Sequence, residues 1–230
     1  MDTNWIFHRI LNHASMDGFQ YLCRLHALQG LSQQDICRAV DEACSFFGMP
    51  FPNVIDTTNH PTYRTMFASL DPRSYRDDII CYDLRELAAL NVGSYNALTL
   101  VLTHEATHRR TQSYSFPGPN HGAHAMECIS DWYMGVRAGL CRMGDIKHVA
   151  QGLGNTDGSD THPAGYIRKM FIDNGVSTGL LNRSNTRPNF EFFLPMFKDF
   201  YETMRPSLEH NYAKHYSLLQ RMTCNKTFGF

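Results

Sequence analysis

His104 and His108 stand four residues apart in His104-Glu105-Ala106-Thr107-His108, and two imidazoles at that spacing can address one point only if the backbone between them is helical. The flanking sequence meets that condition. From Ser94 to Thr103 the chain reads Ser-Tyr-Asn-Ala-Leu-Thr-Leu-Val-Leu-Thr, with no Gly or Pro before Pro117. Leu98, Leu102 and Ala106 recur every fourth residue, Val101 fills the i+3 place, and Gly93 and Ser94 supply a start and a cap. An apolar stripe running into two histidines on one face predicts a buried helix whose imidazoles share a zinc ion. Glu105, next to the first histidine, is placed to take a proton from a water on that ion. The competing reading is a partly buried helix carrying two surface histidines.

A catalytic zinc takes three protein ligands and keeps one position open, so a third donor is required. Metzincins would carry Gly at 111 and His at 114; Thr111 and Tyr114 exclude that subclass. Glu127-Cys128-Ile129-Ser130-Asp131 instead lies on a second predicted helix, residues 123–140, with Ile129, Tyr133, Val136 and Leu140 as its core stripe. The Pro- and Gly-containing segment 115–122 breaks the chain between the helices and lets the second return across the first. Glu127 can then be the third ligand, and Asp131, one turn on, can accept the other ring N–H of a ligand histidine. His121 and His124 form an HxxH beside this helix and are alternative ligands or cleft residues.

HExxH followed by a helix with Glu-x-x-x-Asp resembles the gluzincin metallopeptidases, and the string from Glu127 to Asp131 is similar to the ExxSD of thermolysin-like enzymes. Asp160-Thr161-His162-Pro163, with Arg168 six residues after His162, resembles the Thr-His-Pro…Arg segment of the CAAX-prenyl-protease and HtpX/BepA-like family. The stretch from Asp78 to Tyr82, then Leu84, is similar to that family's edge strand and short helix before the HExxH helix. The likeness runs over about residues 47–171.

This resemblance implies a zincin-like metallopeptidase domain with one Zn2+ per chain, bound by His104, His108 and Glu127, and Glu105 as general base. It implies that His162 or Arg168 donates to the oxyanion, with Tyr166 a weaker candidate. It also implies that Ile79, Ile80, Cys81 and Tyr82 form the strand along which an extended peptide is aligned. A latent form, with His162 as fourth ligand, is the variant of this scheme.

Composition sets further bounds. At 230 residues, 43% apolar and net charge -1, the chain can bury one core, and it shows no charge excess for nucleic acid. No apolar run is long enough for a membrane span, and the first nine residues lack the basic-then-apolar order of a signal peptide. Seven cysteines without a CxxC pair read as free thiols. A cytoplasmic location is expected, with export lacking a cleavable signal as the alternative. The fold expected is α+β, mainly helical, with a small sheet beside the HExxH helix: a single domain, 1–230, in which 185–230 form a C-terminal helical extension.

Short β-branched stretches mark strands at 53–56 and 79–82, and Ser32-Gln33-Gln34-Asp35 marks a helix start continued by Ile36, Val40, Ala43 and Phe47. Thr161 is expected to cap a helix with Pro163 in its first turn that turns Ile167, Met170 and Phe171 inward. Residues 192–204 and 208–222 are expected as two closing helices. The function expected is a zinc-dependent endopeptidase acting on a peptide or protein substrate. The alternative is a non-catalytic zincin-like protein that holds a partner through the zinc cleft or the aromatic stretch from Phe190 to Phe193.

Overall fold

Ser32 opens the helix predicted at 33 with a reciprocal cap: its hydroxyl accepts from the Asp35 N–H at 3.1 Å, and the Asp35 carboxylate accepts from the Ser32 N–H at 3.0 Å. The computed structural model describes residues 17–59, 67–70, 78–111, 122–159, 161–185 and 189–226. Within them the order is α1 (Asp17–Gln29), α2 (Gln33–Ser45), β1 (Asn53–Asp56), β2 (Phe67–Leu70), β3 (Asp78–Tyr82) and α3 (Leu84–Ala89). There follow α4 (Tyr95–Thr111), α5 (Gly122–Cys141), α6 (Ile146–Gly154), α7 (Gly165–Leu181) and α8 (Phe190–Lys226). The fold is mainly helical α+β. No helix among the described residues is long and apolar enough to cross a membrane.

The sheet corrects one expectation. Its order is β1-β3-β2, with β1 parallel to β3 (Val54 opposite Ile80) and β2 antiparallel to it (Ala68 opposite Ile80). Ile79, Ile80 and Cys81 therefore lie on the central strand, paired on both sides, with Tyr82 continuing it opposite Asp56, so this stretch is not the free edge that was expected. Among the described residues the outer strand packed against α4 is β2, whose four residues give no alternation to read.

Helix α4 is the central element. Ser94 accepts from the Ala97 N–H at 3.1 Å, and every residue from Ala97 to Thr107 is buried. Such a helix must satisfy its own polar groups. Thr99, Thr103, Thr107 and Thr111, one per turn, each donate a hydroxyl hydrogen to the carbonyl four residues back, at 2.7–2.9 Å. Leu98, Val101, Leu102 and Ala106 fill the core as predicted.

Helices α5 and α7 meet backbone to backbone. A Cβ on Gly135 or Gly139 would collide with the carbonyl oxygens of Ile172 and Val176, and one on Gly175 or Gly179 with those of Trp132 and Val136. Glu127, Asp131, Gly135 and Gly139 follow each other at four-residue steps on one stripe of α5, so the seam that locks the helices also carries the two carboxylates to α7. Gly175→Ala is expected to destabilise the protein by about 1–3 kcal/mol, since neither backbone can give way without displacing the other. A thermal melt unchanged from the parent would contradict this packing account.

Two further expectations are corrected. Ile167 and Phe171 are buried, but Met170 is 44% exposed, because the seam sets the rotation of α7. The two closing helices are one, α8, which runs through Pro195 and Pro206. Both prolines lie on its exposed side, where water can serve the carbonyls left without an N–H partner. Phe190, Phe193, Phe197, Tyr201, Met204 and Leu208 bury the other side in the same core as α4 and α5. Phe190 and Phe193 are thereby withdrawn from any role as a partner-holding surface.

Candidate metal centre

The helical spacing brings His104 and His108 together, with their Nε2 atoms 3.0 Å apart. Helix α5 crosses α4 so that Glu127 Oε2 is 3.4 Å from His104 Nε2 and Glu127 Oε1 is 3.3 Å from His108 Nε2. Ligand atoms of the three residues all lie within 4.8 Å of one another. A tetrahedral ion with bonds of about 2.0–2.1 Å has donor–donor edges of about 3.3 Å, so the 3.0 Å approach of the two imidazoles and the 3.3–3.4 Å approaches to the two Glu127 oxygens are of the length such an ion requires.

The residues fit a cation on a second ground. Glu127 Oε2 is buried and accepts no hydrogen bond, although Arg168 Nη2 stands 3.1 Å away as an ion pair. A buried carboxylate beside two imidazole nitrogens, with one oxygen lacking a well-aligned donor, could hold a cation. Two imidazoles and one carboxylate are the donor set that zinc favours.

Behind the donors lies a charged layer that is almost wholly buried. His104 Nδ1 is 2.9 Å from Asp131 Oδ1, an ion-pair approach rather than a straight hydrogen bond. Arg168 donates from Nε to Asp131 Oδ2 at 2.7 Å and from Nη2 to Asp131 Oδ1 at 2.9 Å. Burial alone would raise both acids, but the Arg168 guanidinium and the neighbouring histidines hold Glu127 well below the ordinary carboxylate range and lower Asp131 as well. Burial opposes a charge on His104, yet Asp131 and Glu127 outweigh it and push its pKa up to about 10. Two carboxylates, one guanidinium and one imidazolium thus balance in the absence of a metal.

Arg168 is 6% exposed and committed to Asp131 and Glu127, which corrects its expected role as an oxyanion donor: it anchors carboxylates from behind. His162 lies on the more exposed side of Glu127. Its side chain is 49% exposed and its Nε2 is 3.4 Å from Glu127 Oε1, at the rim of the cluster. Glu105 is 8% exposed, and burial first and then the nearby Glu105 carboxylate raise the Cys81 thiol of the central strand.

The other candidates, and the polar side chains around them, are placed elsewhere. His124 is not among the clustered donors; its ring Nε2 lies 3.0 Å from the Ser159 carbonyl oxygen. His121 and Asp160 lie outside the described residues. Tyr166 is 56% exposed on α7. Arg109 donates to Cys44 Sγ at 3.0 Å, and Arg110 pairs with Glu191 over the Phe190 ring. Cys128 is a buried packing residue. The glycine seam went unread in the sequence although its signal is there, as Gly135-x3-Gly139 and Gly175-x3-Gly179. No family model, curated protein or solved structure matches this chain.

Proposed function

We propose that the chain is a zinc-dependent endopeptidase of the gluzincin type, with a zincin-like domain related to the CAAX-prenyl-protease and HtpX/BepA-like group. The observation that carries this reading is the convergence of His104, His108 and Glu127 within 4.8 Å, with Glu105 on the same helix turn as the two histidines. A purely structural zinc site would close its fourth position and has no use for a general base. Retention of Glu105 therefore favours turnover over the rival reading, a partner-holding protein without catalysis.

Bound zinc would supply Lewis acidity to the attacking water and the scissile carbonyl. Glu105 accepts the water proton on its carboxylate and returns it to the leaving amine. The carbonyl oxygen gains charge as the water adds, and His162, half-exposed at the rim, donates to it from Nε2. Asp131 and Arg168 hold His104 and Glu127 in register throughout. The outer edge of β2, the strand packed against α4, offers an extended peptide backbone groups to pair with, in place of the doubly paired β3.

Incubation of the zinc-loaded protein with a mixture of unstructured peptides should give internal cleavages by mass spectrometry. These cleavages should vanish with a chelator and return on adding zinc. Cleavage that persists at full rate in chelator would sink the zinc mechanism.

A further inference from the structure

The segment that presents His162 is held by two elements outside the donor cluster. Residues 156–159 and 161–165 are tied to one another: Gly165 N–H donates to the Thr156 carbonyl at 2.8 Å, Ser159 N–H to the His162 carbonyl at 2.8 Å, and His162 N–H to Ser159 Oγ at 3.0 Å. Gly158, at φ +82, permits the turn, and a Cβ there would press on Ala164 N at 2.8 Å. Internal bonds give the segment a shape but no position. Two buried side chains supply the position.

On one side His124, one turn before Glu127 on α5 and 1% exposed, has Nε2 3.0 Å from the Ser159 carbonyl oxygen. A carbonyl only accepts, so His124 Nε2 carries the proton of this bond. On the other side Asn211 of α8, 5% exposed, accepts from the Ala164 N–H at 3.2 Å through Oδ1. Its neighbour Tyr212 sets its ring edge against His124, centroids 5.3 Å apart. Thr161 Oγ1 lies 2.8 Å from His162 Nδ1, so a hydroxyl donating there leaves the proton on Nε2, the nitrogen 3.4 Å from Glu127.

Resting on the zinc-peptidase reading above, we propose that Asn211 and His124 are positioning residues that clamp the 156–164 segment. In this account α8 is part of the catalytic apparatus, because it fixes where His162 stands relative to the metal ligands. Loss of the clamp frees His162 without touching His104, His108 or Glu127. Turnover should therefore fall while the metal stays.

The test compares zinc-loaded parent, Asn211→Leu and Asn211→Asp, which keeps an acceptor for the Ala164 N–H. Readouts are zinc content, kcat and KM on a cleaved peptide, and amide hydrogen exchange over 156–165. Expected for Asn211→Leu are parental zinc, exchange in 156–165 faster by about tenfold, kcat lower by about tenfold and KM within about twofold, with Asn211→Asp recovering most of both changes. If Asn211→Leu does not fold, His124→Leu is carried through the same measurements with the same expectation.

Unaltered exchange and kcat in a zinc-loaded Asn211→Leu would overturn the positioning role alone. A parent that binds zinc but cleaves nothing, or binds no zinc, would overturn the underlying reading and the proposal with it. Exchange that quickens across the whole chain, rather than in 156–165, would reduce Asn211 to an ordinary core contact and overturn the proposal.

Discussion

Glu105→Gln is expected to leave zinc bound at the parental level and to lower peptide cleavage by about 10²–10⁴-fold. Glutamine has nearly the volume of glutamate, so the buried position beside β3 stays filled. What is lost is the carboxylate proposed to take a proton from water and deliver it to the amine. The donors are His104, His108 and Glu127, none of which changes, so metal content separates lost chemistry from a lost site. Zinc analysis and cleavage rates on the same preparation check both halves. Cleavage within a few-fold of the parent would remove Glu105 from the mechanism.

Arg168→Met should be the most destabilising single change at the centre, at about 3–5 kcal/mol in metal-free protein. Arg168 is 6% exposed, Asp131 is fully buried and Glu127 is 9% exposed, so the substitution leaves two buried carboxylates with His104 as their one remaining cationic partner among the described residues. Methionine fills much of the space, which leaves electrostatics as the main loss. Both acids owe their depressed pKa to this guanidinium first among their partners, so their stabilising contribution is present above the ordinary carboxylate range and is lost as the pH falls. The variant should therefore lose most of its stability deficit in acid, where the stranded carboxyls take up protons. Urea titrations at neutral and mildly acidic pH measure this. A deficit under about 1 kcal/mol at neutral pH would mean that the buried layer is not held by Arg168.

The parts of this molecule that were legible in the sequence are those set by local periodicity. The Leu98-Leu102-Ala106 stripe, the Ser32–Asp35 cap and the strand at Asn53–Asp56 all follow from neighbours within a turn or two. The approach of Glu127 and Asp131 to the two histidines was readable because a zinc site of the expected kind asks for a third donor and an orienting acid, and one helix offers both at four-residue spacing. What depends on distant pairing was not readable. The position of β3 in the sheet is fixed by β2, whose four residues carry no pattern of their own, and so Ile79 to Tyr82, expected at the edge, lie one strand further in. The anchoring role of Arg168 depends on the crossing of α5 and α7, which four glycines decide. The continuity of α8 through Pro206 depends on which face meets solvent, and that is settled by the aromatic core it covers.

Zinc content of the purified protein beside its Glu127→Ala variant is the most direct test of the centre. The account predicts about one zinc per chain in the parent and a tenth of that or less in the variant, because two imidazoles alone hold zinc poorly. Equal zinc in both would place the third ligand elsewhere, and no zinc in the parent would contradict the metal centre itself.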